Sequence, residues 1–248
     1  MEQFEGKVAL ITGASSGIGE ATAWALAAQG MRVAVAARRR DLLNALVERI
    51  SECGGQAIAL AADVTDEEQA RTMVHQAQQQ WGRLDILVNN AGLMLLGPIA
   101  GANTTDWRRM VETNVMGLLY TTHAALPIMK AQASGHIVNI SSLAGRIARA
   151  GSGVYNVTKW GVVAFSEALR QECVKDHTRV TVIEPGVVAT DLASHITHPA
   201  ARETALHRIE EIAPLQSVDI ANAIVYAVTQ PVHVNVNEIL IRPTEQER

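Results

Sequence analysis

The sequence has few cysteines, few aromatic residues and no excess of basic residues. Two cysteines in 248 residues, Cys53 and Cys173, are too few for a disulfide framework and lack metal-ligand spacing. Scarce cysteine favours a reducing compartment. The formal net charge is −4, from 21 basic and 25 acidic residues. Because a nucleic-acid binder needs a clustered basic face, we expect no nucleic-acid partner.

Long apolar runs are also missing. No uncharged stretch reaches the roughly 18 apolar residues that a transmembrane helix requires, so we expect no membrane span. The first seven residues, MEQFEGK, include acidic residues where a secretory signal would be basic and then apolar, which favours a cytoplasmic protein. No linker or internal repeat interrupts the chain, and its 48% hydrophobic content suits one globular domain over residues 1–248.

Short apolar runs alternate with amphipathic stretches along the chain. The runs have strand length and lie at 8–11, 32–36, 57–61, 84–88, 136–140, 179–183 and 238–241. Helical patterns cover 18–29, 40–53, 66–81, 104–132, 154–175, 200–212 and 217–228. Near-continuous apolarity in strands is typical of a parallel sheet that is covered on both faces. The alternation predicts an α/β, Rossmann-type, doubly wound parallel sheet of about seven strands with helices on both faces.

A glycine-rich turn, TGASSGIG at 12–19, follows the first strand and precedes a helix. Such a turn lets backbone N–H groups and the helix N-terminus approach a pyrophosphate, although its glycines could instead serve only a tight, packed turn. Its position after the first strand favours cofactor binding. The residues assigned to this role are Gly13, Ser15, Ser16, Gly17, Ile18 and Gly19.

The end of the second strand carries arginines where an NAD-binding protein places an acid. The chain reads Ala-Ala-Arg-Arg-Arg over 36–40. A guanidinium binds a 2′-phosphate through charge-assisted hydrogen bonds, whereas an acid repels it. We expect Arg38 to be best placed, Arg39 to assist and Arg40 to begin the next helix. The pattern therefore favours NADP(H) over NAD(H), unless the arginines are only a solvated helix start.

Four polar residues form a candidate catalytic set. Tyr155 and Lys159 lie four apart in a helical pattern and so share a face. Ser142 follows the fifth strand, and Asn114 lies in the long fourth helical pattern. A tyrosine and a lysine four apart occur in many helices, so none of these residues identifies a function alone.

Together with the glycine turn, these residues resemble the short-chain dehydrogenase/reductase family, in its single-domain members. The resemblance runs along essentially the whole chain and also includes Asp63, the NNAG motif at 89–92 and the Pro-Gly pair followed by Thr190. Segments 93–98, 104–107, 195–198 and 238–244 resemble a narrower branch. That branch contains clavulanate-forming aldehyde reductases and NADP-dependent 3-hydroxy acid or serine dehydrogenases.

The resemblance implies hydride transfer between the nicotinamide and a carbonyl or alcohol. Tyr155 would donate or accept the proton, and Lys159 would lower the pKa of that phenol and bind the nicotinamide ribose. Ser142 would hold the substrate oxygen, and Asn114 would anchor a water in a proton relay. The further cofactor contacts that it implies are Asp63 and Val64 at the adenine, Asn89, Ala91 and Gly92 at the ribose region, and Pro185, Gly186, Val188 and Thr190 at the nicotinamide.

The substrate side is less defined. Candidate contacts are Met94, Leu95, Ser142, Leu143, Ala144, Tyr155, Leu192 and His195, and 187–212 is a candidate lid. Their mainly apolar character favours a substrate with a hydrophobic body over a highly charged one. Two histidines at 195 and 198 lack an acidic partner motif, so we expect no metal.

Apolar positions in 104–132 and 154–175 exceed what one face of each helix needs, and family members commonly assemble through these helices. We therefore expect a homotetramer, with a dimer or monomer as alternatives.

The whole chain is interpreted as an NADP(H)-dependent oxidoreductase acting on a small aldehyde, ketone or hydroxy acid. A catalytically silent NADP(H)-binding regulatory protein is the alternative, although it would not need the four polar residues. An epimerase or dehydratase would need a larger substrate domain.

Overall fold

The computed structural model of the chain describes residues 4–247. Its centre is a seven-stranded parallel sheet with the order β3-β2-β1-β4-β5-β6-β7. The strands are β1 Val8–Thr12, β2 Arg32–Ala37, β3 Gln56–Ala61, β4 Ile86–Asn89, β5 Gly135–Ile140, β6 Thr178–Pro185 and β7 Glu238–Ile241. This arrangement confirms the predicted doubly wound Rossmann-type fold.

Helices cover both faces of the sheet. They are α1 Gly17–Ala28, α2 Arg40–Glu52, α3 Glu67–Trp81, α4 Thr104–Val111, α5 Gly117–Ala131, α6 Gly153–Glu172, α7 Pro199–Glu211 and α8 Ser217–Thr229. One hydrophobic core packs α3, α5 and α6 against the sheet, and a second packs α1, α2 and α8 against its other face. In the central strand β1, Val8 and Leu10 enter the first core while Ala9 and Ile11 enter the second. Burial on both faces explains the continuous apolarity of the strands.

The strand order places β1 between β2 and β4. The chain therefore places β2 and β3 on one side of β1 and β4 to β7 on the other. The connections that follow β1 and β4 run toward opposite edges of the sheet. Such a reversal opens a crevice at the carboxyl ends of the strands, where ligands bind in open α/β sheets.

The fourth helical pattern, predicted as one helix over 104–132, is interrupted. A π-helical turn, Glu112–Met116, joins α4 to α5. The backbone keeps right-handed helical dihedral angles at both ends of this turn, so the periodicity of apolar residues does not reveal it. Of the helices in residues 4–247, none is long and apolar enough to cross a membrane.

Candidate active site

A cavity of about 1280 Å³ extends along the carboxyl ends of the strands. Its walls come from the glycine turn, the loops after β2 to β6, the N-terminal part of α6, and α7. Tyr155, Lys159 and Ser142 line this cavity together with the glycine turn. The fold therefore brings the predicted catalytic and cofactor residues to one cleft.

The glycine turn needs its glycines for close packing. Gly13 has φ +64°, and a Cβ there would lie 2.8 Å from the Cα of Ala91. A Cβ on Gly19 would lie 2.4 Å from the carbonyl oxygen of Gly13. The Asn90 side-chain amide donates to the carbonyl oxygens of Thr12 and Gly13 at 2.9 and 3.2 Å. The turn is thereby tied to the loop after β4, and α1 begins within it at Gly17.

Asn89 does not occupy the position predicted for it. Its side chain is buried, donates to Thr122 and Asn139 at 3.0 and 2.9 Å, and accepts from Thr121 at 2.6 Å. These contacts lie inside the fold, away from the cleft lining. Because neighbouring residues at a strand end point to opposite sides, Asn90 rather than Asn89 contacts the glycine turn.

Arg39 contacts the glycine turn more closely than Arg38, reversing the expected order. Its guanidinium donates to the hydroxyls of Ser15 and Ser16, with shortest distances of 2.9 Å to each. Arg38 lies 3.8 Å from Asp63, and 79% of its side chain is exposed. Two guanidinium groups and two hydroxyls therefore face one end of the cleft, where their donors suit a phosphate. Arg40 is the first residue of α2, as predicted.

Tyr155 and Lys159 lie on one face of α6, as their spacing predicts, and both are buried. The Lys159 ammonium donates to the carbonyl oxygen of Ile140 at 2.9 Å and lies 5.8 Å from the centroid of the Tyr155 ring. Ser142 is hydrogen-bonded to Tyr155. The phenol, the hydroxyl and the cation thus form one compact group beside β5.

Burial changes the proton affinities of this group. It raises the pKa of Tyr155 to about 12, an effect that the Ser142 hydrogen bond partly opposes, and it lowers the pKa of Lys159 to about 8. Burial is the largest influence on the Tyr155 phenol, and the expectation that Lys159 and the oxidised nicotinamide lower its pKa stays a prediction. At neutral pH the phenol is protonated and the lysine is mostly an ammonium.

Asn114 lies within the π-helical turn and is buried. Its amide nitrogen donates to the Leu93 carbonyl at 2.8 Å and to the Thr158 hydroxyl at 3.1 Å, and its oxygen accepts from the Leu93 N–H at 2.7 Å. A Cβ on Gly92 would lie 3.7 Å from that oxygen and 3.8 Å from the Lys159 nitrogen. Asn114 and Lys159 therefore approach Gly92 closely, and the water relay remains a prediction.

Most other predicted site residues line the cleft. They are Ser15, Ser16, Gly17, Ile18, Asp63, Val64, Ala91, Gly92, Pro185, Gly186, Val188 and Thr190, and, on the substrate side, Met94, Leu143, Ala144, Leu192 and His195. Leu95 is an exception, since it is buried in a cluster with Met110 and Tyr155, and Leu96 lines the cleft instead. Within residues 4–247, no three His, Cys, Asp or Glu side chains are grouped to hold a metal.

Several residues in or beside the cleft have no role in the sequence-based prediction, among them Asn156, Gln246 and Arg149. Asn156 bonds the carbonyl oxygens of Ala144 and Ile147 at 2.7 and 2.9 Å. Gln246 accepts a hydrogen bond from the Val187 N–H at 2.9 Å and lines the cavity. Arg149 also lines it. Of these three, only Asn156 had a local signal, because it lies beside Tyr155 in the catalytic motif.

Comparisons with known proteins agree with this geometry. The family model described as short chain dehydrogenase matches residues 7–201. A glycine betaine reductase of Emericella nidulans is 42% identical over 97% of the chain, which covers only 19% of that longer protein. An uncharacterized oxidoreductase of Staphylococcus aureus is 39% identical, with 96% of this chain and 97% of that protein covered.

Among solved structures, the closed form of a serine dehydrogenase complexed with NADP⁺ is similar. It has a TM-score of 0.90 and 34% identity, and the match covers 97% of this chain and 96% of that chain. The likeness therefore extends over nearly the full length of both chains.

Proposed function

Because the chain belongs to the short-chain dehydrogenase family, we propose that it is an NADP(H)-dependent oxidoreductase that interconverts a carbonyl and an alcohol. The observation that carries the proposal is the placement of Tyr155, Ser142 and Lys159 on one wall of the cleft that contains the glycine turn. The family gives the class of reaction, and the site residues supply the proton chemistry.

The chain's residues fit an NADP(H) molecule. The backbone of the glycine turn and the N-terminus of α1 suit a pyrophosphate, while Arg39, Ser15, Ser16 and Arg38 suit a 2′-phosphate. The similar serine dehydrogenase structure contains NADP⁺, which supports the same choice. When bound, the nicotinamide supplies or accepts the hydride.

Each catalytic residue has a distinct task. The Tyr155 phenol donates its proton to the substrate oxygen during carbonyl reduction, and its pKa of about 12 keeps it protonated until then. The Lys159 ammonium stabilises the phenolate that remains. The Ser142 hydroxyl orients the substrate oxygen and stabilises the charge that develops on it.

The substrate class is proposed more broadly. Two of the similar proteins are named for small polar molecules, serine and glycine betaine. We propose a small aldehyde, ketone or hydroxy acid as the substrate of this chain, bound under segment 187–212 as a lid. Within that segment, α7 has no fully buried residue, which suits an element that moves.

We also propose that the chain forms a single domain over 1–248 and that the protein is located in the cytoplasm.

A homotetramer is our proposal for the assembly, with a dimer next. On α6, Val157 is 68% exposed and Trp160 is 49% exposed, and Val111 on α4 is also exposed. Val162 and Leu169, two other apolar residues of α6, are buried in the protomer and do not contribute to that surface. Light scattering on a size-exclusion column measures the mass of the assembly, and Trp160→Glu should reduce it. A monomeric mass for the wild type would overturn the proposal.

The first experiment measures oxidation of NADPH and NADH at 340 nm with a panel of aldehydes and ketones. Turnover should prefer NADPH and fall about 10²- to 10⁴-fold in Tyr155→Phe, because the general acid is lost. Tyr226→Phe alters an exposed tyrosine on α8 and serves as the matched control. Tight NADPH binding with no turnover would favour the regulatory alternative.

Two further variants test the cofactor assignment. Arg38→Asp and Arg39→Met should each weaken NADPH binding while sparing NADH, since only NADPH carries the 2′-phosphate. The Arg39 variant should have the larger effect, because Arg39 alone bonds Ser15 and Ser16. Equal losses with both cofactors would contradict the assignment.

A further inference from the structure

Arg149 lies on a segment that is held rigidly between two catalytic residues. The segment 146–152 joins the turn that follows Ser142 to α6, which carries Tyr155. Asn156 bonds the Ala144 and Ile147 carbonyl oxygens and accepts from the Ser152 hydroxyl at 2.7 Å. The backbone on both sides of Arg149 is therefore fixed relative to the helix turn that carries the proton donor.

The Arg149 side chain lacks an internal partner. It is half-buried and lines the same cavity as Ser142 and Tyr155. Among the residues that the structure describes, its guanidinium has no carboxylate or other hydrogen-bond acceptor. By contrast, its neighbour Arg146 pairs with Glu184 at 2.7 Å. A partly desolvated guanidinium with five donors and no acceptor is unfavourable, so an acceptor supplied by a ligand would stabilise it.

Most of the other charged side chains that line this part of the cavity are also positive. Arg108 and Arg109 line the cavity from α4, and Arg208 lines it from α7. Arg109 is paired with Asp106 at 3.3 Å, and Arg208 has a partner within the protein. The acidic residues at this part of the lining are Glu112 and Asp191. Arginines thus outnumber acids at this part of the lining, beside the apolar side chains expected of the substrate pocket.

The α4 and α7 elements meet at this end of the cleft. The Thr197 hydroxyl, just before α7, donates to the Asp106 carboxylate of α4 at 2.5 Å. Gly97 bonds through its N–H to the Gly151 carbonyl at 2.8 Å, which brings the loop after β4 beside the Arg149 segment. The arginine-rich lining is therefore one side of the substrate space and not a set of unrelated surface charges.

We propose that the substrate carries a carboxylate and that Arg149 binds it. The inference rests on the proposed function, because it names the substrate class of that same reaction. A guanidinium binds a carboxylate through two parallel charge-assisted hydrogen bonds, which also fix its direction. Since Arg149 is anchored beside the Ser142 turn, this bond orients the carbonyl toward Ser142 and Tyr155. Arg149 is a specificity-determining residue and takes no part in proton transfer.

The test compares two aldehydes of the same carbon skeleton, 4-oxobutanoate and its methyl ester, in which a methyl group replaces the negative charge. With NADPH, wild-type kcat/KM should be about 10- to 100-fold higher for the carboxylate, mainly through a lower KM, given the strength of charge-assisted bonds. Arg149→Gln should remove most of that preference while changing kcat/KM for the ester less than about two-fold, and Arg149→Lys should retain part of it.

The controls separate the possible failures. Arg202→Gln removes an exposed arginine of α7 that does not line the cavity, and it should leave the preference intact. The Kd of NADPH should not change in Arg149→Gln. Equal wild-type turnover of both aldehydes, or a preference that survives Arg149→Gln, overturns this inference and leaves the proposed function standing. If NADPH is oxidised with other members of the panel but with neither of these two aldehydes, the inference alone is overturned, whereas no oxidation across the whole panel overturns the proposed function and the inference together.

Discussion

At the residue scale, burial raises the pKa of Tyr155 and lowers the pKa of Lys159. The phenol titrates near pH 12 and the ammonium near pH 8. When Tyr155 gives up its proton, the phenolate is stabilised only while Lys159 is charged. Carbonyl reduction should therefore slow above about pH 8, because Lys159 becomes neutral there. The measurement is kcat/KM with NADPH from pH 6 to 10.

Lys159→Met is the comparison variant for this profile. It should be about 100-fold slower or worse at pH 7, and its remaining activity should show no break near pH 8. A flat wild-type profile between pH 7 and 10 would show that the charge of Lys159 does not limit the reaction.

Glu184 has no assigned role from sequence, and the structure makes it a structural residue. It is 1% exposed, and burial raises its pKa while its ion pair with Arg146 opposes that rise. Arg146 also contacts Glu238 of β7. Arg146→Met leaves a buried carboxylate unpaired and should reduce the free energy of unfolding by about 2–4 kcal/mol.

Chemical denaturation at pH 7 measures this loss, and an exposed ion pair provides the control. Arg170→Met breaks the solvent-exposed pair with Glu167 and should reduce the free energy of unfolding much less than Arg146→Met does. Adding Glu184→Gln to Arg146→Met should recover part of the lost stability. If the two single arginine variants lose equal stability, the buried pair does not have the assigned importance.

Residue identity was easier to predict than side-chain direction. The positions of Tyr155 and Lys159 followed from helical spacing, since residues four apart share a face. Asn89 and Asn90 are adjacent, and which of them turns toward the cleft depends on how β4 is oriented in the sheet. The same ambiguity applies to Leu95 and Leu96, of which Leu95 is buried and Leu96 lines the cleft. Local sequence cannot decide which of two adjacent residues faces the cleft, because either orientation of the alternating side chains is compatible with the same residues.

At the element scale, the C-terminal segment 242–247 supports the part of the cleft that Gly186 and Val187 line. Gln246 accepts from the Val187 N–H at 2.9 Å, and Glu245 accepts from the Ala213 N–H at 3.2 Å. Glu245→Ala combined with Gln246→Ala should release this support and raise the Kd of NADPH by up to about 30-fold, since each bond contributes about 1 kcal/mol.

NADPH fluorescence titration measures that Kd. Glu247→Ala is the matched control, because the Glu247 contact to Arg242 uses its backbone oxygen. A lower melting temperature with an unchanged Kd would mean that the segment only stabilises the fold.

Elements with strong periodicity were predicted closely, whereas contacts that join distant elements were not. The helix predicted over 40–53 is Arg40–Glu52, and that predicted over 200–212 is Pro199–Glu211. The fourth strand begins at Ile86 and not at 84, because the Asp85 carboxylate accepts from the Val8 N–H and pairs with Lys7 and Arg83. The Gln246 contact to Val187 joins residues far apart in the chain, so no local pattern could indicate it.

At the scale of the whole molecule, a buried histidine in the sheet makes the free energy of unfolding depend on pH. His136 on β5 is buried, and its Nε2 lies 2.7 Å from the Thr181 hydroxyl oxygen. That hydroxyl donates its only hydrogen to the Val236 carbonyl at 2.6 Å, so Nε2 must be the protonated nitrogen. The other nitrogen, Nδ1, has no partner among residues 4–247. Burial, with the nearby Arg179 cation, lowers the pKa of His136 to about 3.

This shift gives a defined pH window. The folded-state pKa lies below the unfolded value of about 6.5, so between about pH 6.5 and pH 3 only the unfolded chain binds the additional proton. The stability contributed above pH 6.5 is therefore lost as the pH falls, at up to about 1.4 kcal/mol per pH unit. His136→Gln keeps a donor for Thr181 and has no such proton, so its free energy of unfolding should fall less steeply. Urea denaturation at intervals from pH 7 to 4 measures both slopes, and parallel slopes would show that His136 titrates normally in the folded protein.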